Sequence, residues 1–183
     1  LSSSSAASDV YKRQVVEGTA GNTGIGLGIV AKAYGLSLKI IIPKTQSIEK
    51  KQTLKDLGAE LIEVDAVPYS NPNNYIKQSK KIADELSKSN KNGVLWANQF
   101  DNIINSEAHI QTTAKEIWTQ TAGQIHGFTC SVGTGGTLAG VSMGLKEKNK
   151  DIKIALSDPM GSSLHSHIKL SLIHISEPTR RTP

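Results

Sequence analysis

Two short stretches rich in glycine and threonine have the composition of anion-binding loops. The first, at residues 17–28, reads EGTAGNTGIGLG, and the second, at residues 133–137, reads GTGGT. Glycine lets bare backbone approach a ligand, but it loses more conformational freedom on folding than any other residue. A helix that starts in such a loop adds unpaired N–H groups and a partial positive charge, and both favour an anion. Two loops of this kind suggest two bound anions.

Sequence motifs narrow the class of ligand. No lysine follows either glycine cluster in the G-x-x-x-x-G-K-[ST] pattern, which excludes a nucleoside-triphosphate loop. Residues 19–26, TAGNTGIG, approach the T-G-x-x-x-G-x-G fingerprint of short-chain dehydrogenases except at Ala20. No tyrosine is followed by a lysine four positions later, as proton transfer in that family requires. Tight turns and close helix contacts without any ligand are the remaining alternative for these glycines.

The elements that would carry the loops alternate between short β-branched runs and helical segments, which is typical of α/β proteins with parallel sheets. Ser47 and Gly58 have the residue types of a helix N-cap and a helix stop. Strands are predicted at residues 38–43, 59–64, 93–98, 127–132 and 152–157. Helices are predicted at residues 47–57, 75–86 and 106–121, and from the second glycine cluster to residue 148. Ligands of open α/β sheets bind beyond the carboxyl ends of the strands, where both glycine loops fall.

Both ends of the chain look like translated sequencing adapter. DVYKRQ at residues 9–14 and LSLIHI at residues 170–175 can be back-translated into DNA strings that are reverse complements over most of their length. Two ends of one natural protein have no reason to be related in this way, so both are excluded from fold reasoning. We predict that residues 1–14 and 170–183 are adapter-derived and non-native.

Composition sets weak limits on the partners. The aromatic share of 4% argues against a stacking surface for single-stranded nucleic acid. The net charge of +5 fits an ordinary protein surface, so no nucleic-acid partner is predicted. No run approaches 18 apolar residues, so no membrane partner is predicted either. His165 and His167 could bind a metal only with further ligands, and no metal is expected.

Three stretches, in this order and spacing, resemble the cysteine synthases (O-acetylserine sulfhydrylases), which belong to the tryptophan-synthase β-like class of pyridoxal-phosphate enzymes. They are EGTAGNTGIGLG at residues 17–28, NQFDNIINSEAHIQTTAKEIW at residues 98–118 and SVGTGGTLAGV at residues 131–141. The resemblance implies an α/β architecture with three-layer open sheets, the fold type II of this class, here incomplete. It also implies a smaller substrate-loop domain at residues 15–97 and part of a larger cofactor domain at residues 98–169.

The resemblance assigns one anion to each loop. The first loop would take the α-carboxylate of the substrate, and the second would hold the phosphate of pyridoxal 5'-phosphate. The substrate contacts implied are Thr19, Ala20, Gly21, Asn22, Thr23 and Gln99. The cofactor contacts implied are Asn22, at the ring hydroxyl, and Gly133, Thr134, Gly135, Gly136 and Thr137. Family members typically have serine where Ala20 stands, so one hydroxyl contact is expected to be missing here.

The implied reaction is β-replacement, in which acetate leaves O-acetylserine and sulfide takes its place to give L-cysteine. The cofactor supplies the chemistry, while the protein orients the substrate and excludes water. The family's Schiff-base lysine lies a few dozen residues before the first loop, where this chain has only predicted adapter and two native residues. We therefore predict that the full gene product is an enzyme and that these 183 residues, which would hold no catalytic residue, are inactive alone.

Two alternatives stay open. Another member of the class, cystathionine β-synthase or a serine or threonine dehydratase, would share both loops, although NQFDN and TTAKEIW favour the sulfhydrylases. A catalytically dead regulatory paralogue would keep the fold and lack the upstream lysine. The family further implies a homodimer acting on small molecules, O-acetylserine and sulfide, in the cytoplasm.

Overall fold

The computed structural model describes residues 13–159 and residue 164, and the chain divides after Gln99 into two compact units. The segments predicted to be adapter lie outside the described residues, except for Arg13 and Gln14, and Gln14 is the first residue of a strand. His165 and His167 also lie outside the described residues. Within the described part of the chain, no helix is long and apolar enough to cross a membrane.

The first unit is built on a four-stranded parallel sheet with the strand order β3-β2-β1-β4. Helices follow the first three strands and return the chain to the same end of the sheet, as parallel pairing requires. The elements are β1 (Gln14–Gly18), α1 (Asn22–Ala33), β2 (Ser37–Pro43), α2 (Ile48–Asp56), β3 (Glu60–Val64), α3 (Tyr75–Ser87) and β4 (Val94–Trp96).

Both faces of this sheet are covered by helices, which explains the unbroken apolar run of β2. Alternate residues of a strand point to opposite faces. Ile40 and Ile42 pack in one buried cluster with Leu54 of α2, whereas Ile41 packs in another with Ala83 of α3. A strand that is buried on both faces has no polar alternation. The predicted α/β class with a parallel sheet between helix layers is confirmed.

The second unit contains three helices and a two-stranded parallel sheet. Its elements are α4 (Ile104–Gln111), α5 (Thr113–Gln120), β5 (Gly127–Cys130), α6 (Gly136–Lys148) and β6 (Lys153–Leu156). Strands β5 and β6 pair in parallel across α6. A buried cluster of Ala114, Val141, Leu145 and Ile152 joins α5 and α6 to the start of β6. The core of this unit therefore lies between its helices and its short sheet.

Most predicted boundaries agree with the structure within two residues. Ser47 caps α2, because its side chain accepts a hydrogen bond from the Lys50 N–H group at 3.4 Å. Gly58 ends the same helical segment with a φ of +88°, a left-handed conformation that glycine adopts without a Cβ penalty. Local capping chemistry was therefore readable from the sequence in this region.

The prediction of one helix at residues 106–121 is wrong. Two helices, α4 and α5, meet at Thr112, which has φ −117° and ψ −77°. The Thr112 hydroxyl donates a hydrogen bond to the Ala108 carbonyl at 2.7 Å. Threonine side chains that bond back to the preceding turn bend helices, and a second threonine follows at position 113. The apolar spacing continues through the break, so periodicity alone did not reveal it.

Candidate functional site

The first loop leaves the carboxyl end of β1 and passes directly into α1. Gly21 is the N-cap residue in an extended conformation; no side chain caps the helix, and its first turn holds no acidic residue. Thr19 is buried, and its hydroxyl oxygen accepts a hydrogen bond from the Gly21 N–H group at 3.1 Å. The N–H groups that begin α1 are therefore presented without a competing side chain, which is the arrangement that binds anions.

The glycines of this loop serve two different purposes. A Cβ atom at Gly24 would stand 2.9 Å from the Thr19 methyl carbon, and one at Gly28 would stand 2.9 Å from the Leu57 side chain. These two glycines let α1 pack closely, so the alternative of close helix contacts is right for them. A Cβ atom at Gly21 would meet nothing within 4 Å. The open backbone at the helix start is therefore not explained by packing.

Gln99 lies beside this loop although 76 positions separate it from Thr23. Its side-chain oxygen accepts a hydrogen bond from the Thr23 hydroxyl at 2.6 Å, and its side-chain nitrogen donates one to the Gly18 carbonyl at 3.2 Å. Gln99 thus ties the end of β1 to the first turn of α1. Ala20 is half-buried beside them, and Asn22 is exposed. The structure brings the predicted substrate residues together, while their contacts with a substrate stay a prediction.

Glu17 is a residue of this site to which the sequence assigned no role. It is 1% exposed, and its Oε2 atom has no hydrogen-bond partner within the described residues. Burial raises the pKa of Glu17 from 4.5 to about 7, although hydrogen bonds from the backbone N–H groups of Asn98, Gln99 and Gly18 and from the Gln99 side chain lower it. The signal available in the sequence was an acidic residue that directly follows two valines and opens the glycine loop; its burial itself is not readable from the sequence.

The second loop leaves the carboxyl end of β5 and begins α6. Gly135 is the N-cap residue and has a φ of +91°, which strongly favours glycine. As at α1, no side chain caps the helix, and no acidic residue lies in its first turn. Gly133 is exposed, and a Cβ atom there would meet nothing within 4 Å. This loop too presents backbone N–H groups at an open helix N-terminus.

Two side chains of α4 hold the threonines of the second loop, and both were missed as site residues. The Asn105 side-chain nitrogen donates a hydrogen bond to the Thr134 hydroxyl oxygen at 2.9 Å. The His109 Nε2 atom lies 3.1 Å from the Thr137 hydroxyl, and its Nδ1 atom lies 2.9 Å from the Thr113 hydroxyl. Asn105 and His109 are four positions apart and so share one helix face, which was the available signal.

Glycines spaced by four along α6 allow α4 and the start of α5 to approach closely. A Cβ atom at Gly136 would overlap the Asn105 carboxamide, one at Gly140 would overlap the Ser106 carbonyl, and one at Gly144 would stand 2.6 Å from Ala114. Glycine costs up to about 1 kcal/mol in a helix relative to alanine, so close packing offsets a real penalty. The same contact places Asn105 and His109 against the second loop.

The second loop fits a phosphate group such as that of pyridoxal phosphate. The donors that a phosphate dianion needs are present: backbone N–H groups at an uncapped helix start and two threonine hydroxyls. The first turn of α6 has no acidic residue that would repel the phosphate. The open positions at Gly133 and beside Gly135 leave the backbone accessible. Thr134, Thr137 and the loop N–H groups would hold such a phosphate. No group of three histidine, cysteine, aspartate or glutamate side chains suited to a metal exists in the described part of the chain.

Comparison with known proteins gives a consistent result. A family model described as "Pyridoxal-phosphate dependent enzyme" matches residues 3–178. The chain is 50% identical over 156 residues to cysteine synthase 1 of Emericella nidulans, and the match covers 85% of this chain and 41% of that protein. The chain therefore spans about two fifths of the length of this curated relative.

Solved structures agree with the sequence matches. A hydrogen sulfide-producing enzyme from Fusobacterium nucleatum superposes with a TM-score of 0.73 at 36% identity, covering 85% of this chain and 50% of that one. O-acetylserine sulfhydrylase isoform 3 from Entamoeba histolytica superposes with a TM-score of 0.69 at 34% identity, covering 85% of this chain and 44% of that one. The expected fold, that of the fold type II pyridoxal-phosphate enzymes, is confirmed.

Proposed function

The chain belongs to the pyridoxal-phosphate dependent enzyme family, and from this membership we propose that it is part of a cysteine synthase. That enzyme makes L-cysteine from O-acetylserine and sulfide by β-replacement. The observation that carries the proposal is the pair of helix N-termini without side-chain caps, each following a parallel strand and each free of acidic residues in its first turn. One suits the cofactor phosphate, and the other suits the α-carboxylate of an amino acid.

The residues have separate tasks in this proposal. When bound, pyridoxal phosphate supplies the electron sink that lets the α-proton and the β-substituent of an amino acid leave. Thr134, Thr137 and the N–H groups of Gly133, Gly135 and Gly136 hold its phosphate. The N–H groups that open α1 hold the substrate carboxylate, and Gln99 fixes the Thr23 hydroxyl beside them. The exposed Asn22 binds the cofactor ring hydroxyl.

Several finer expectations belong to the same proposal. Residues 1–14 and 170–183 are adapter-derived, residues 15–97 form the substrate-loop domain, and residues 98–169 form part of the cofactor domain. The complete enzyme is a cytoplasmic homodimer. The names of the relatives support a protein that acts on O-acetylserine and sulfide. The 183-residue chain by itself has no turnover, because the lysine that holds the cofactor in this family would lie before Glu17.

The first experiment is to recover the natural gene by sequencing outward from primers within residues 15–169. The recovered protein is then purified with pyridoxal phosphate and offered O-acetylserine with sulfide, serine with homocysteine, and serine or threonine alone. We expect cysteine as the dominant product, together with a lysine a few dozen residues before Glu17 and natural sequence in place of both adapter segments.

Each other outcome favours a named alternative. Cystathionine as the main product would indicate a cystathionine β-synthase, and a keto acid with ammonia would indicate a dehydratase. An intact gene without the upstream lysine, whose product has no turnover, would indicate a regulatory paralogue. A product that does not bind pyridoxal phosphate would overturn the assignment of the second loop as well.

A further inference from the structure

Glu17 is a buried carboxyl group for which the proposed reaction has no use. It is the fourth residue of the five-residue strand β1, immediately before Gly18, and it is 1% exposed. Placing a carboxylate in such a position costs free energy unless hydrogen bonds compensate it. No charged side chain contributes to the shift of its pKa, which arises from burial and is opposed only by hydrogen bonds. The residue therefore interacts with its surroundings through those hydrogen bonds.

The hydrogen bonds of Glu17 come from the turn at which β4 leaves the sheet. Strand β4 pairs with β1 as far as Trp96, and the Ala97 N–H group still donates to the Val16 carbonyl at 3.0 Å. Asn98 then has a φ of +49°, a left-handed conformation that is uncommon for a residue other than glycine. Beyond this point the N–H groups of Asn98 and Gln99 donate to the Glu17 carboxylate. Glu17 thus accepts hydrogen bonds from the chain at the point where β4 stops pairing with β1.

This turn carries Gln99, whose side chain reaches back over the first loop. The Gln99 carboxamide contacts the Glu17 carboxylate, the Gly18 carbonyl and the Thr23 hydroxyl. A chain of hydrogen bonds therefore runs from a buried acid in the sheet to the first turn of α1. Moving the Asn98 and Gln99 turn by a fraction of an ångström would displace the carboxamide from the Thr23 hydroxyl.

We propose that Glu17 is a positioning residue, which holds the Asn98 and Gln99 turn so that the Gln99 carboxamide, by accepting a hydrogen bond from the Thr23 hydroxyl, fixes the first turn of α1 and its N–H groups at the anion site. The identity of the anion, a substrate α-carboxylate, rests on the proposed function. The positioning itself rests only on contacts within the first unit. Glu17 would not touch the substrate.

The first test follows the Asn98 and Gln99 amide resonances of the 183-residue chain by ¹H–¹⁵N spectroscopy over the pH range in which Glu17 titrates. We expect these amides to shift in a single titration that is absent in Glu17→Gln, which keeps an accepting oxygen but cannot ionise. Glu63→Gln is the matched control, because Glu63 bonds to Lys51 on an exposed surface and should leave the titration unchanged. Amides that titrate equally in Glu17→Gln would overturn the proposal, as would amides that do not titrate in the unaltered protein.

The second test uses the complete enzyme and measures KM and kcat for O-acetylserine. Glu17→Met removes the accepting oxygens, so we expect KM to rise about tenfold with little change in kcat, the pattern of lost binding common to ground and transition states. In a Gln99→Ala background the same substitution should have almost no further effect on KM. An equal effect with and without Gln99 would show a merely structural role. If the enzyme does not use O-acetylserine, the proposed function fails, while the amide titration still decides the positioning role.

Discussion

The first and second loops follow the same order of elements, strand, glycine loop and helix, yet different contacts hold them. In the first loop, Gly21 is extended and α1 packs on side chains, namely the methyl group of Thr19 and that of Leu57. In the second loop, Gly135 is left-handed and α6 packs on the main chain of α4 at the Ser106 carbonyl. The threonines of the second loop are held by Asn105 and His109, whereas Thr23 of the first is held by Gln99.

This difference matches the two ligands proposed. A cofactor phosphate stays bound through many turnovers, and a loop fixed by helix-to-helix backbone contact suits a permanent ligand. A substrate carboxylate must enter and leave, and a loop supported by one glutamine and one buried acid can respond more easily. Four predictions test this comparison, from the largest expected effect to the smallest.

The largest effect should come from adding one methyl group to α6, and the same addition to α1 should have a small effect of opposite sign. Gly140→Ala would drive a Cβ atom into the Ser106 carbonyl, which cannot move alone, so we expect a loss of about 3 kcal/mol in the free energy of unfolding of the second unit. Gly26→Ala in α1 meets nothing within 4 Å and should stabilise the first unit by about 0.5 to 1 kcal/mol.

These two substitutions can be compared by urea unfolding followed through tryptophan fluorescence. The chain has two tryptophans, so Trp118→Phe leaves Trp96 as the probe of the first unit, and Trp96→Phe leaves Trp118 as the probe of the second. A neutral Gly140→Ala variant would contradict the rigid contact between α4 and α6.

The second prediction concerns pH and applies to the first loop. Glu17 has a pKa near 7 in the folded state and 4.5 when unperturbed, so its stabilising contribution is fully present below pH 4.5 and is lost as the pH rises through 7. Between about pH 5.5 and about pH 8 we expect the free energy of unfolding to fall by about 2 kcal/mol relative to Glu17→Gln.

The difference between the unaltered chain and Glu17→Gln isolates this effect from other carboxyl groups. Hydrogen bonds lower the pKa values of Glu49 and Glu63; the bond comes from the N–H group of Glu49 itself in the first case and from Lys51 in the second. These two groups therefore reduce the free energy of unfolding as the pH falls, whereas Glu17 reduces it as the pH rises. Urea midpoints measured with the Trp96 probe at several pH values check the slope. A pH-independent difference would mean that Glu17 does not titrate in this range.

The third prediction separates the two anions. In the complete enzyme, Thr137→Val removes one hydroxyl from the second loop and should weaken pyridoxal phosphate binding by about tenfold or slightly more, the lower end of the effect of one hydrogen bond to a charged group. Thr23→Val removes the hydroxyl that donates to Gln99 and fixes the first turn of α1, so it should leave cofactor affinity unchanged and raise KM for O-acetylserine about fivefold. Thr129→Val, at an exposed position of β5, is the control for a threonine outside both loops. Fluorescence titration measures cofactor affinity, and steady-state kinetics measure KM. A loss of cofactor affinity in Thr23→Val, or a change confined to KM in Thr137→Val, would refute the assignment of one anion to each loop.

The smallest effect is expected at Ala20. Ala20→Ser introduces the hydroxyl that the resemblance to cysteine synthases predicts at this position, and we expect KM for O-acetylserine to fall about twofold to threefold without change in cofactor affinity. Ala20 is half-buried next to the buried Thr19. A weaker substrate affinity in the serine variant would show that this chain has adapted to alanine.

Local patterns explain what could be predicted. The β-branched runs of β2 and β3, the cap at Ser47 and the stop at Gly58 depend on residues near one another in sequence, so their structures followed from local chemistry. Both glycine loops were recognised because a helix that starts after a strand has the same unpaired N–H groups in any fold. The break at Thr112 was missed because a back-bonding threonine does not disturb the apolar spacing around it.

The sequence by itself determined the class of this protein: an α/β chain with two glycine loops at helix starts, in an order that resembles one enzyme family. Only the tertiary structure decided how the loops are held, because those contacts join residues distant in the chain. The Thr23 and Gln99 pair is separated by 76 positions, and the Thr137 and His109 pair by 28. No periodicity in the sequence encodes such pairs, and the burial of Glu17 became visible only once β4 had been placed beside β1.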